Sequence, residues 1–397
     1  MQKLDNNLSH LVKTLQNKSL HIDIIVFVKN FEKAINLFNL KNYKIKAVFP
    51  FINAICLEID LQELQELKAI NNVVFISSQT TVFAQSSIAK KIINVNQFYS
   101  AGLFGAGVTV AIIDTGVHPH LDFLYPKNRI IKFVDFIKRN INKEIKNSNS
   151  FFVNDTASFY DDNGHGTFVA GLVGGNGIMS GKKYCGIAPM CNLIILKALD
   201  KDGQSTSVEM LEAMQWVFDN KEKYNIKVVC MSFGAVPTSK SDPLMKGAER
   251  LWDSGIAVVA AGGNSGPEKQ TIKSPGACRK IITVGALDDA RDENENYYKE
   301  KFKIADFSSR GPAFEFYKPD LIVSGVNIIS CGCLSNYTQM SGTSVSAPIV
   351  AGICALIFEK YNFRISPNQI KTLLQYFCTP IVNNRNVEGF GYLHFDK

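Results

Sequence analysis

Between Gly107 and Val284 the chain returns repeatedly to short, almost unbroken aliphatic runs. They are VTVAII at 108–113, NLIILK at 192–197, IKVVCM at 226–231, IAVVA at 256–260 and KIITV at 280–284. A half-buried strand alternates apolar with polar residues. An unbroken run suits a strand covered on both faces, as in a parallel sheet. Helical patterns lie between and after these runs, at 165–175, 206–220, 243–254, 345–361 and 366–377. The last opens Ser366-Pro367-Asn368-Gln369, with a capping serine, a proline at the first helical position and a glutamine three residues after the cap. The expected fold class is α/β, a doubly wound parallel sheet with helices on both faces.

The N-terminal part follows another pattern. IDIIVFV at 22–28 predicts a strand and FEKAINLFNL at 31–40 a helix. YKIKAVF at 43–49 and INAICLEI at 52–59 predict two strands across Pro50. LQELQELKAI at 61–70 spaces Leu61, Leu64, Leu67 and Ile70 as a helical stripe, and VVFISSQTTVF at 73–83 closes with a strand. This β-α-β-β-α-β order is that of a small α+β, ferredoxin-like unit. The expected division is a leader at 1–20, the ferredoxin-like unit at 21–85 and the large α/β domain at 86–397, with QSSIAKK as the linker.

Composition narrows the function classes. The formal net charge is only +7, and the densest basic stretch, Lys127–Lys146, reads as a solvated surface loop and not as a nucleic-acid patch. No apolar run reaches the roughly 18–20 residues of a membrane span. The first thirty residues lack the apolar core of a secretory signal. The nine cysteines are odd in number, lie mostly in apolar segments and form no CxxC pair; Cys331-Gly-Cys333 is too close for a usual zinc site. Buried free thiols, a cytoplasmic location and neither nucleic acid nor membrane as partner are the expectations.

Reactive groups of an open parallel sheet gather beyond the carboxyl ends of its strands. Asp114 ends VTVAIIDTG there, where a buried carboxylate needs a partner or a capping role. His165, in DDNGHGTFVAG, is framed by glycines at a helix start, and small residues there allow other backbone to come close. A carboxylate on one ring nitrogen leaves the other free to take a hydroxyl proton. Asn264, in AVVAAGGNSGP, carries an amide that can donate to an oxyanion or simply occupy a glycine-rich turn. Ser344, in MSGTSVSAP, is either a nucleophile at a helix N-terminus or part of a helix cap with Pro348 in the first turn.

AIIDTGV, NGHGTFVAG and SGTSVSAP, in that order, resemble the three signatures of the subtilisin-like serine proteases. VVCMSFG at 228–234, AAGGNSGP at 260–267 and FSSRGP at 307–312 fit the same family, so that the resemblance covers roughly residues 88–395. GTSVS is not the GxSxG elbow of an α/β-hydrolase, and the glycines of GLFGAG precede their strand where a dinucleotide fingerprint would follow one. The resemblance implies a serine endopeptidase, with Ser344 as nucleophile, His165 as general base and Asp114 as its orienting carboxylate. Asn264 and the Ser344 N–H would hold the oxyanion. Substrate backbone would pair with Ser232, Phe233 and Gly234, while Ala260, Ala261 and Gly262 would wall the pocket before the scissile bond.

The same resemblance makes the leading unit a propeptide of the intracellular type of enzyme, an inhibitor that the protease cleaves from itself, probing its cleft with the last strand. The alternative for that unit is a permanent accessory domain. For the whole chain, the alternatives are a regulatory pseudoprotease and a processing protease with one target. The chemistry requires no cofactor. Structural calcium is conceivable in the acidic run LDDARDENENYYKE at 287–300, whereas loop 174–186 does not look like the family's tight calcium loop. Phe168 and Ile349 stand where the family pattern has histidine, and Ser324 where it has proline.

Overall fold

The computed structural model describes residues 3, 4, 8, 21–78, 88–138, 159–292 and 296–396. They form two compact units, Met1–Val82 and Phe83–Lys397. In the smaller unit, β1 (Ile22–Val28), β2 (Lys44–Phe49), β3 (Ala54–Ile59) and β4 (Val73–Ser78) make an antiparallel sheet in the order β2-β3-β1-β4. Helix Phe31–Leu40 connects β1 to β2, and Leu61–Ala69 connects β3 to β4. Their starts are chemically specified. The Asn30 side chain accepts from the Lys33 N–H, and Asp60 and Glu63 form a reciprocal capping box. Strand β1 buries alternate residues Ile24, Val26 and Val28 in one cluster with Phe38, Leu64 and Leu67, joining sheet and helices. This is the split βαβ order. The expected end of the last strand, residues 79–83, and the adjoining linker to residue 87 lie outside the described residues.

The larger unit is built on β5 (Thr109–Asp114), β6 (Ile130–Asp135), β7 (Asn192–Lys197), β8 (Ile226–Met231), β9 (Ala257–Ala261), β10 (Ile282–Asp288), β11 (Lys303–Ile304) and β12 (Leu321–Ser324). All but β11 run parallel, in the order β12-β10-β9-β8-β5-β7-β6. Strand β11 pairs antiparallel with β10. A separate hairpin, β13 (Ile328–Cys331) and β14 (Tyr337–Met340), precedes helix Thr343–Lys360. Short β15 (Cys378–Thr379) and β16 (Tyr392–Leu393) extend the edge beyond β12.

Every residue of β5 and β9 is buried, which requires cover on both faces. Helix Thr343–Lys360 packs on β8, β9, β10 and helix His165–Gly174; Ser207–Asn220 and Pro243–Asp253 pack on each other and reach β5 and β9. Contrary to the sequence count, Thr343–Lys360 is long and apolar enough to cross a membrane by length and composition. It is nevertheless the core helix, with 83% of that span buried inside the protein.

The basic stretch also departs from expectation. Ile130–Asp135 is not a loop but strand β6, paired with β7, with Ile130 and Phe133 buried. Lysines adjoining an aliphatic alternation disguised it. The remainder of that stretch, from residue 139, lies outside the described residues.

None of the nine cysteines forms a disulfide; eight are buried and Cys333 is partly exposed. Thiol titration of freshly purified protein, denatured without reductant, should therefore reach nearly nine equivalents. Recovery of several disulfides from such material would contradict it.

Candidate active site

Strands β7 and β6 lie on one side of β5, and β8, β9 and β10 on the other. The loops leaving β5, β7 and β8 therefore diverge around a crevice at their carboxyl ends. A cavity of about 510 Å³ occupies it, lined by Thr115 after β5, Gly203–Ser207 after β7 and Ser232–Ala235 after β8, with His165 on its wall.

Asp114 closes β5 with its side chain wholly buried. Its backbone carbonyl accepts from the Ala198 and Leu199 N–H groups at 3.0 and 3.2 Å. Its Oδ1 accepts from the Thr115 N–H at 2.8 Å and lies 2.7 Å from His165 Nδ1. Among the described residues Oδ2 has no hydrogen-bond partner, so the imidazole is the principal compensation for this buried carboxylate. Burial works against protonating His165. The Asp114 charge, the hydrogen bond to it and the charge of Asp161 outweigh that effect and raise its pKa above the ordinary value. With Nδ1 directed at Asp114, Nε2 is left to accept a proton.

The glycines around His165 have a steric reason. A Cβ on Gly166 would stand 2.2 Å from the Gly116 carbonyl oxygen, so the His165 helix and the turn after Asp114 touch backbone to backbone. Gly164, the helix cap, has φ of 102°, a conformation suited to glycine.

Asp161 was not singled out in the sequence, yet it organises this turn. Its carboxylate accepts from the N–H groups of Asn163, Gly164 and Thr167 and from the Thr115 and Thr167 hydroxyls. Burial disfavours its charge, but these bonds prevail and its pKa falls below the usual value. Thr115 Oγ1 in turn accepts from the Gly166 N–H. An aspartate four residues before the histidine, at a helix start, was the available signal.

Ser344 sits in the first turn of Thr343–Lys360, which begins two residues earlier than expected. The cap is Gly342, without a side-chain bond, and Pro348 falls inside the helix beyond the first turn. The helix start is held at the sheet's carboxyl edge. Ser346 Oγ donates to the Val323 and Ser324 carbonyls at the end of β12, and Thr343 Oγ1 accepts from Gly263 N just past β9. Because β5, β9 and β12 are parallel, Asp114, Asn264 and Ser344 share one edge. Asn264 Oδ1 accepts from the Thr343 N–H and Oγ1, both at 2.9 Å, which orients its Nδ2 the other way. A Cβ on Gly342 would lie 3.0 Å from Ser344 Oγ, 3.1 Å from Asn264 Nδ2 and 3.7 Å from Ser344 N. One small space is thus bordered by a hydroxyl and two potential N–H donors. No hydrogen bond joins Ser344 to His165 among the described residues; such contacts are often long without substrate.

Ser232, Phe233 and Gly234 line the cavity. Ala260 and Ala261 are buried in β9 and are not part of its lining; Gly262 N donates to the Val284 carbonyl and its own carbonyl accepts from Lys273 N. Phe168 and Ile349 are buried in the apolar core, and Ser324 is buried too.

Part of the acidic run considered for calcium, residues 293–295, lies outside the described residues. Around 287–300, Asp289 pairs with Arg291 and Asp288 with Lys303, while in loop 174–186 the Lys182 ammonium donates to the Asn176 carbonyl. Buried His120, Asp122 and Cys331 also converge, but Asp122 accepts from Tyr337 Oη and Met179 N, and His120 Nδ1 accepts from Asp122 N. That cluster is a closed hydrogen-bond network.

A doubly wound sheet with a carboxylate–imidazole pair and a helix-borne serine along one edge defines the subtilisin class of α/β protease. Residues 105–392 match the Subtilase family, and the chain belongs to it as a subtilisin-like serine endopeptidase. It is 36% identical over 365 residues to serine protease AprX of Bacillus subtilis, covering 84% of this chain and 76% of that protein. To the thermostable alkaline protease of Halalkalibacterium halodurans it is 29% identical over 358 residues, covering 89% of this chain and 86% of the relative. Among solved structures, sphericase superposes with a TM-score of 0.62 at 25% identity, over 79% of this chain and all of that one.

Proposed function

We propose that the protein is a self-processing endopeptidase in which Ser344 attacks the peptide carbonyl, His165 takes and returns the proton and Asp114 orients His165. Asn264 Nδ2 and the Ser344 N–H receive the oxyanion. The observation that carries this reading is the buried Asp114–His165 contact of 2.7 Å on the same sheet edge as the space between Ser344 Oγ and Asn264. Substrate main chain pairs with Ser232, Phe233 and Gly234, and Ala260, Ala261 and Gly262 are assigned the wall of the pocket before the scissile bond. Substrates are proteins and peptides.

The ferredoxin-like unit is read as the propeptide and inhibitor. It directly precedes the protease in the chain, and main-chain pairing of a chain segment is a common way to occupy an extended peptide site. Because nucleophile and segment belong to one chain, cleavage is first order in protein. The expected cut lies between Ser78 and Lys90, with Phe83–Ser86 favoured; residues 79–87 lie outside the described residues. Nine cysteines with no disulfide among them favour a reducing, cytoplasmic setting.

The test is to purify wild type and Ser344→Ala side by side. Wild type should lose about a fifth of its mass, residues 1–85 of 397, while Ser344→Ala stays at 44.0 kDa. Full-length wild type with full activity would make residues 1–85 an accessory domain.

A further inference from the structure

Strand β7, NLIILK, ends in a lysine directly after the aliphatic run Leu193–Leu196. Lys197 is 1% exposed and lies opposite Asp114 in the β5–β7 register. Its Nζ donates to the Thr115 carbonyl at 2.6 Å, the Asp162 Oδ1 at 2.6 Å and the Leu199 carbonyl at 3.0 Å. The Tyr160 ring lies 5.1 Å from the same nitrogen. An ammonium has three protons, and all three are used.

Stability alone does not require this arrangement. Desolvating an ammonium is costly, and an apolar side chain of similar length at a buried ion-pair site is often neutral or better. What methionine could not do is hold two separate chain segments. Thr115 directly follows Asp114, and Asp162 lies three residues before His165. We propose that Lys197 is a positioning residue for the proton-transfer pair, its buried ammonium clamping the Asp114 turn to the loop that carries His165. The proposal rests on the reading of Asp114 and His165 given above.

The clamp complements the Asp161–Thr115 contact, which joins the same segments through a hydroxyl. Asn163 adds a weaker tie to the strand's far side, donating from Nδ2 to the Lys201 carbonyl at 3.0 Å. Removing Lys197 therefore loosens the Asp114–His165 geometry without erasing it. Small displacements of catalytic groups cost up to about 100-fold in rate.

The test compares Lys197→Met, Asp162→Asn, Asp162→Leu, Asp114→Asn and the double variant Lys197→Met/Asp114→Asn, each checked for folding by circular dichroism. Lys197→Met should lower kcat roughly 10- to 100-fold with KM little changed. It should also shift the acid limb of kcat/KM toward lower pH, because His165 is held less firmly against Asp114. Asp162 is 44% exposed at its side chain, so Asp162→Asn removes the charge of the clamp while keeping a neutral acceptor for the Lys197 ammonium, and Asp162→Leu breaks the clamp and should lower kcat roughly tenfold. In the Asp114→Asn background, Lys197→Met should cost less than about twofold more, since the contact it protects is already weakened. Equal fractional losses in both backgrounds, or wild-type kcat with an unmoved acid limb in a folded Lys197→Met, would overturn the clamp. Should Lys197→Met fail to fold, wild-type kcat in Asp162→Leu would overturn it. Full activity in Asp114→Asn would instead remove the underlying triad reading.

Discussion

Ser344→Ala and His165→Ala should each lower kcat for peptide hydrolysis about 10⁶-fold, the loss found when the corresponding groups of a subtilisin, a member of this family, are removed. The two act as a unit, so the double variant should lose little more than either single one. Asp114→Asn should cost less, about 10⁴-fold, because nucleophile and base survive while the imidazole loses its orienting charge. The pH profile carries the same logic. In the proposed mechanism His165 must be neutral to accept the serine proton, and its pKa is raised chiefly by Asp114 against the effect of burial. Activity should therefore fall as pH drops through a value above the ordinary imidazole pKa of about 6.5. Asp114→Asn removes the charge that raises it and should move that limb downward. Substantial turnover by folded Ser344→Ala, measured on a denatured protein substrate after removal of contaminating protease, would end the assignment.

Local patterns offered candidates for the site. Asp114, at the end of an unbroken aliphatic strand, and His165, bracketed by glycines, each kept a capping or structural alternative when read alone, and it was the ordered resemblance of three motifs that joined them to Ser344. The steric meaning of those glycines is now explicit in the contact of Gly166 with the Gly116 carbonyl. Contributions across long sequence separations were hidden. Asp161 meets Thr115 across 46 residues, and Lys197 meets Thr115 across 82. Nothing in DDNG or LIILK announces those partners. Strand β6 escaped because basic residues border and interrupt its aliphatic alternation. The cavity lining from Gly203–Ser207 was invisible for a related reason: the segment is polar and turn-like alone, and it becomes a wall only when the chain crosses from β7 to the far side of β5. Helix Thr343–Lys360 was expected to start at 345. Its observed start is fixed by Asn264 and the backbone near β9 and β12, which a local reading of SGTSVSAP does not contain.

Asn264→Ala should reduce kcat by about 10²–10³ with little change in KM, the size of effect seen for the equivalent donor in a subtilisin. An oxyanion exists only along the reaction path, so a donor aimed at it assists the transition state more than substrate binding. Asn264 has two faces, however. Its Oδ1 accepts from both the Thr343 N–H and hydroxyl, whereas its Nδ2 borders the space beside Gly342 and Ser344. Alanine removes both, so a lower rate could reflect a displaced helix start. Asn264→Asp separates them, because aspartate keeps an acceptor for Thr343 while eliminating the donor and placing negative charge toward the developing oxyanion. If Nδ2 serves the oxyanion, Asn264→Asp should be at least as slow as Asn264→Ala. Recovery of wild-type kcat in Asn264→Asp would show that Asn264 acts only through Thr343, and a loss confined to KM in Asn264→Ala would make it a substrate-binding residue instead.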